Sequence, residues 1–233
     1  MERVLLVFAR EPAPENTKTR LAGLFTDAER VAFYTAMLHD LAETVWRVAC
    51  DRRVVCWSPE RLPDRLCEVF GAAEYRPQEG VHLGERMRNA LVWALGDVRG
   101  DRAAVLVGSD APLLSADDLE SAFTSLAHRS FVLAPSFDGG YALIGARSSV
   151  VSEVPYAFAD IPWSRSDVLD TTVERLVQTH YLHPEVSLGV LGMCYDVDTP
   201  EDVRRLRAHL RALAFARERL PRHTFAFLRR HPA

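Results

Sequence analysis

Two carboxylates stand out for what surrounds them. Asp110 follows Gly108-Ser109 at the close of the apolar run Ala103 to Val107, and Asp198 closes Tyr195 to Asp198 ahead of Thr199-Pro200-Glu201-Asp202. Mg²⁺ takes oxygen ligands, keeps several waters, and is held by one or two carboxylates together with substrate phosphates. Asp110 and Asp198 therefore suit the ligation of Mg²⁺ (or Mn²⁺) carrying a nucleotide diphosphate. Either acid alone could simply shape the turn before Pro112 or begin a helix. Two at two strand ends favour the metal.

Cations come next. Lys18 is the only lysine among 28 Lys and Arg side chains. A compact ammonium approaches a single oxygen where a planar guanidinium is too wide. Lys18 is therefore assigned to phosphate, in a loop whose Pro12 and Pro14 stop both strand and helix. Arg20 joins Lys18 and Asp110 as a catalytic candidate, and Arg10 and Ser109 extend the phosphate set. Arg86, near a helix start at Leu83-Gly84-Glu85, is a further anion ligand by its place beside free N–H groups. Asp138-Gly139-Gly140-Tyr141 offers close backbone approach without Cβ atoms, and with Trp163 is assigned to the substrate or acceptor side. No H-E-x-x-H, G-x-S-x-G or G-x-G-x-x-G pattern is present, so zinc hydrolysis, Ser-His-Asp acyl transfer and the dinucleotide fingerprint lack their parts.

These residues need strand ends to hold them. Short apolar runs alternate with amphipathic stretches, as in βαβ units around a mostly parallel mixed sheet in an α/β/α sandwich. Strands are expected at Arg3 to Ala9, Arg53 to Trp57, Ala103 to Val107, Phe131 to Ala134, Tyr141 to Gly145 and Tyr195 to Asp198. A capping box, Thr26 with Glu29, opens a helix whose apolar residues run from Val31 to Val48. Further helices are expected over Pro59 to Phe70, Leu83 to Val98, from Ser115 with Asp118, over Ser164 to Thr179, and from Thr199 through Leu213. Ligands of open α/β sheets bind beyond the carboxyl ends of the strands, where Arg10 to Arg20, Asp110, Asp138 and Asp196 to Asp198 all fall.

Length and composition agree with one domain. The 233 residues are 48% hydrophobic and 26% charged, with net charge -4, values of an ordinary globular chain. Residues 1–210 read as one α/β unit, and residues 211–233 as an Arg-rich extension packing on it. That tail reads as a solvated helix, and no nucleic-acid partner is expected, since aromatic and basic residues do not interleave. The cysteines, Cys50, Cys56, Cys67 and Cys194, form no C-x-x-C pair, so neither zinc nor disulfides are expected. The first apolar run is too short to span a membrane, and a cytoplasmic location is expected.

The segments Phe8 to Leu21 (FAREPAPENTKTRL), Leu83 to Met87 (LGERM), Gly108 to Leu114 (GSDAPLL), Asp138 to Gly145 (DGGYALIG), Ile161 to Ser164 (IPWS) and Asp196 to Asp202 (DVDTPED) occur in this order. Together they resemble the rSAM/selenodomain-associated transferase family, also described as arsenosugar-biosynthesis glycosyltransferase-like, over roughly residues 3 to 210. The resemblance implies a nucleotide-diphospho-sugar transferase fold of GT-A type, a metal at Asp110, and a second ligand at Asp198. Two positions depart from the pattern: Arg10 stands where the family has Lys, and Glu15 where it has Gly. Glu15 brings negative charge into a loop expected to approach phosphate, so that loop either bends away there or acts through Lys18 and Arg20. The expected activity is metal-dependent glycosyl transfer from a nucleotide sugar to a small acceptor. The alternatives are nucleotidyl transfer from an NTP to a small metabolite with release of pyrophosphate, and non-catalytic nucleotide binding.

Overall fold

The computed structural model describes residues 1–96, 100–163 and 165–232. Seven strands form one sheet: β1 (Glu2–Ala9), β2 (Arg52–Trp57), β3 (Glu74–Pro77), β4 (Arg102–Gly108), β5 (Phe131–Pro135), β6 (Tyr141–Arg147) and β7 (Leu188–Val190). Their order is β3-β2-β1-β4-β6-β5-β7, and only β6 runs against its neighbours.

Alternation along the central strands explains why both faces are covered. Leu5 and Val7 of β1, with Val105 and Val107 of β4, pack against α1 (Asp27–Val45), α2 (Asp64–Phe70) and α4 (Ala116–Leu126). Val4, Leu6 and Phe8, with Ala104 and Leu106, face α3 (Leu83–Leu95), α5 (Val154–Ala157) and α6 (Val168–Leu182). Successive side chains of a strand point to opposite faces, so a strand buried on both sides reads as an unbroken apolar run. The result is a three-layer α/β/α sandwich with a mostly parallel sheet.

A third cluster lies outside these layers. Leu21, Phe25, Phe33 and Met37 meet Val203, Leu206 and Leu210 of α7 (Pro200–Ala216) and Phe227 and Leu228 of α8 (Arg222–Arg230). The second apolar stripe of α1 is thus covered by the C-terminal helices. Asp40 of α1 accepts hydrogen bonds from the His223 and Thr224 backbone N–H groups at 2.9 and 2.7 Å. A carboxylate from another helix thereby caps the first turn of α8, whose own N-cap, Pro221, has no side-chain oxygen.

The three sequence-read capping boxes, at Thr26 with Glu29, Ser115 with Asp118 and Thr199 with Asp202, all form reciprocally. Several boundaries differ. α2 starts at Asp64, not Pro59, because Pro63 disfavours helical backbone at Leu62. α1 ends at Val45, and Val48 follows in a turn while staying buried. α3 ends at Leu95; Val98, to which it was expected to reach, lies outside the described residues, as does Ser164, the expected start of a helix that begins at Val168. Tyr195 to Asp198 is not a strand. The residue before it, Cys194, bridges Ser136, and the Val197 N–H donates to the Asp110 carbonyl at 2.9 Å, so the segment crosses the end of β4 without a ladder. The edge strands β3 and β7 carry no continuous apolar run and were not expected.

Candidate functional site

The site forms where the sheet's parallel strands end. The loop after β1 is tied down at four points. The buried Glu11 carboxylate accepts from the Arg65 and Leu66 backbone N–H groups at 3.0 and 3.2 Å, capping α2. The Thr17 hydroxyl accepts from the Ala13 N–H at 2.9 Å. The Arg30 guanidinium donates to the Pro14 carbonyl at 3.1 Å. Glu15 turns outward to an ion pair with Arg61, so its charge is neutralised away from the cluster around Lys18. The loop leaves this frame at Lys18, whose backbone is left-handed at φ 46°, a conformation that costs a non-glycine residue about 1–2 kcal/mol.

Lys18 is the centre of the arrangement. Its ammonium donates to Asp110 and, at 2.9 Å, to Asp198, and its side chain is only 4% exposed. Burial alone would lower its pKa, but the two carboxylate charges overcome this and hold it well above the ordinary lysine value. Asp110 is carried by the end of β4, and Asp198 by the segment that the Val197 to Asp110 backbone bond lays across that end. Lys18, Asp110 and Asp198, separated by up to 180 positions in sequence, are thus gathered at one point.

The backbone beneath them is pinned by Tyr34. Its buried hydroxyl accepts from the Arg10 N–H at 3.1 Å and shares a 2.8 Å hydrogen bond with Ser109. Burial, reinforced by the Asp110 charge, pushes the phenol up to about 12, so it stays protonated. Ser109 is consumed in this link and buried, which makes it a support of the β4 end. Tyr34 was read from the sequence only as a core residue; a lone polar atom on an apolar stripe was the available signal.

Asp196, expected beyond the strand ends but given no role of its own, joins the acids. It is half-buried, and burial first, then the charges of Asp138 and Asp198, raise its pKa to about 6. The spacing Asp-Val-Asp was the signal: in extended chain, residues two apart share a side.

The remaining candidates divide. Arg10 and Arg20 are exposed, and among the described residues neither guanidinium has an ion-pair or hydrogen-bond partner, which leaves them free for an incoming anion. Arg86 donates to the Gly80 carbonyl at 3.1 Å and to Glu60 at 3.3 Å. Asp138 accepts from the Ser136 hydroxyl and, at 3.0 Å, from the Gly140 N–H, so it shapes the β5–β6 turn. Gly139 is required there: at φ 88° a Cβ would overlap the Ser166 carbonyl. The same glycine's carbonyl accepts from the Leu169 N–H at 2.8 Å, docking the start of α6 on the turn.

Trp163 stacks on Phe158 at 5.9 Å between centroids and meets Tyr141 edge-on at 6.5 Å. Its indole covers Gly84 so closely that a Cβ there would overlap the ring. The glycine of LGERM thus makes room for Trp163 at the α3 start.

The carboxylates fit a divalent cation on the chemistry of the donor set: Asp110 and Asp198 already converge on one positive centre, with Asp196 beside them. A separate group, Glu153, His183 and Glu185, lies toward the opposite end of the sheet, with His183 Nδ1 3.6 and 3.5 Å from the two carboxylates. No helix among the described residues is long and apolar enough to cross a membrane.

Comparison with known proteins fits this geometry. A structure from Desulfovibrio desulfuricans G20, provisionally designated a nucleotide-diphospho-sugar transferase, superposes with TM-score 0.85 at 29% identity over 99% of this chain and 95% of that one. The fold is accordingly that of nucleotide-diphospho-sugar transferases, of GT-A type. The 3-phospho-D-glycerate guanylyltransferase of Phenylobacterium zucineum (strain HLK1) is 34% identical over 57% of this chain, which spans 62% of that protein's length. The 2-phospho-L-lactate guanylyltransferase of Methanocorpusculum labreanum (strain ATCC 43576 / DSM 4855 / Z) is 26% identical over 91% of this chain and 87% of its own. Residues 41–165, more than half of the chain, match one family throughout, and the protein therefore belongs to DUF2064, described as an uncharacterized protein conserved in bacteria.

Proposed function

We propose that the protein is a nucleotidyltransferase that joins an NTP, with GTP the first candidate, to a small phosphorylated acid, releasing pyrophosphate. The observation that carries this reading is the cluster of Lys18, Asp110 and Asp198, with Lys18 on the segment after β1 that also carries the exposed Arg10 and Arg20. Cations in a loop after the first strand are of most use where charge develops on a triphosphate. Two similar proteins that are guanylyltransferases acting on phosphorylated hydroxy acids support the same class. The sequence-based lean toward glycosyl transfer is revised accordingly.

An acceptor phosphate oxygen attacks the α-phosphorus in line; the bond from that phosphorus to the α,β-bridging oxygen breaks, and its electron pair leaves with pyrophosphate. Lys18 and Arg20 hold the charge that grows on the leaving oxygens, with Arg10 alongside. Tyr34 and Ser109 fix the backbone that presents Lys18 and Asp110 to each other. Asp110 and Asp198 would hold a Mg²⁺ or Mn²⁺ ion, which would supply charge neutralisation on the phosphate oxygens. The β5–β6 turn at Gly139-Gly140, Tyr141 and the Trp163 ring border the acceptor side.

Glycosyl transfer from a nucleotide sugar, including the arsenosugar type, is a second reading, favoured by the Desulfovibrio protein's designation. One experiment separates the two: purified protein is incubated with Mg²⁺ and each NTP plus 3-phosphoglycerate or 2-phospholactate, and in parallel with nucleotide sugars. Pyrophosphate release from GTP with a nucleoside-diphosphate-linked product is expected. Nucleoside diphosphate from a nucleotide sugar, with no pyrophosphate from any NTP, establishes the glycosyl reading instead.

A further inference from the structure

Lys18 is held in an unusual way for a residue assigned to an incoming phosphate. Its ammonium is directed at the two carboxylates, Asp110 and Asp198, that best suit a divalent ion. It is nearly fully buried, whereas Arg10 and Arg20 on the same loop are exposed and unpaired among the described residues. We propose that the Lys18 ammonium competes with the divalent cation for one position: without the metal it neutralises the Asp110–Asp198 pair, and metal binding displaces it and releases it to phosphate oxygens. The proposal rests on the site reading above in placing the metal at these two acids. It does not depend on which group is transferred.

Three observations support it. Asp196 stands beside the pair, and Lys18 is the only cation ion-paired with Asp110 or Asp198 among the described residues. That excess of negative charge favours a doubly charged ion over a singly charged one. An ammonium is a compact point charge that can sit between two carboxylates as a metal ion does, whereas guanidinium is a broad plane with a fixed fork of donors. This accounts for a lysine at the one position of a chain that otherwise uses arginine. Finally, the left-handed backbone at Lys18, φ 46°, is a costly conformation that persists where surrounding contacts hold it, and the paired carboxylates supply such contacts.

A consequence follows for binding order. A nucleotide gives the displaced ammonium new oxygen partners, so metal and nucleotide should each strengthen the other's binding.

The single lysine makes the test direct, because labelling lysine with ¹³C at Cε yields one side-chain resonance from the wild-type chain. Titration with Mg²⁺ alone should move that resonance and speed exchange of the ammonium protons with water. In parallel, Mn²⁺ binding without nucleotide is measured by electron paramagnetic resonance for wild type, Lys18→Met, Lys18→Gln and the Lys18→Met/Asp110→Asn double variant. Both single variants should bind Mn²⁺ at least about tenfold more tightly than wild type, and the double variant should lose the gain. Mn²⁺ should also raise the melting temperature of Lys18→Met more than that of wild type. A lysine resonance unmoved by Mg²⁺ at saturation, or single variants that bind Mn²⁺ no more tightly than wild type, would overturn the proposal. The pyrophosphate assay on the wild-type protein is independent of this result.

Discussion

The end of β4 and the β5–β6 turn are neighbours in the sheet, and each presents an aspartate, yet the two acids are used differently. Asp110 and its partner Asp198 converge on a buried ammonium. Asp138 is exposed and turned onto its own loop, accepting from Ser136 and the Gly140 N–H. The Asp110 carboxylate is aimed at a cation, whereas Asp138 commits one oxygen, Oδ1, to its own turn and keeps Oδ2 without a hydrogen-bond donor among the described residues. The comparison teaches that the loop decides where an Asp after a strand is aimed: Asp138 is oriented by Ser136 and Gly140 of its own turn, and Asp110 by Lys18 from another loop.

The largest effect expected from this contrast is on turnover. Asp110→Asn should lower the proposed nucleotidyl transfer by about a hundredfold or more and leave the fold intact, since it removes the charge of one of the two carboxylates proposed to hold the metal. The same change at Asp138 should cost less than about tenfold, because an amide oxygen can still accept from the Gly140 N–H. Steady-state rates of pyrophosphate release check both, and equal losses at the two positions would erase the distinction.

Lys18→Arg should lower turnover nearly as far as Lys18→Ala, by roughly tenfold or more, because the guanidinium keeps the charge but not the compact shape. An arginine variant with wild-type rates would show that charge alone matters at this point.

Tyr34→Phe sharpens the comparison from below, since it removes only the hydroxyl that links the Arg10 N–H and Ser109. A loss of about 1–2 kcal/mol in stability is expected from the buried groups left unpaired, together with a fall in kcat larger than any change in KM. Urea unfolding and steady-state kinetics read the two quantities.

The smallest effect concerns Asp196, whose raised pKa of about 6 means that the folded state holds its proton more tightly than the unfolded chain does. Stability should therefore fall as pH rises through about 4 to 6 and level off above. Asp196→Asn should flatten that slope and raise the unfolding free energy at pH 7, by no more than about 1 kcal/mol after allowing for solvent screening of a half-exposed group. Unfolding measured at pH 5 and pH 7 tests the sign.

Much of the fold was legible because its cause is local. The runs at β1 and β4 are buried on both faces and so are unbroken in apolar residues, and the three capping boxes pair side chains three positions apart with backbone in the same turn. The strands at β3 and β7 were not legible, since edge strands in this sheet are short and partly exposed and carry little apolar signal. In the site, Asp110 was legible as an acid at a strand end, whereas Lys18 and Asp198 were legible only as residue types, since Lys18 lies well beyond β1 and Asp198 in a segment that is not a strand. For Arg86 the glycines at a helix start were the signal in the sequence, and only the folded chain shows that its guanidinium meets Glu60 and the Gly80 carbonyl.

By itself the sequence determined the α/β alternation, the helix starts and the presence of one lysine among arginines, all of which depend on residues close together in the chain. Tertiary structure alone decided that Lys18 lies between Asp110 and Asp198, that Asp138 serves its turn, and that Trp163 covers Gly84. The physical reason is range: hydrophobic period and capping are set within a few residues, whereas the partner of a charge is whichever group the packed sheet brings within about 3 Å.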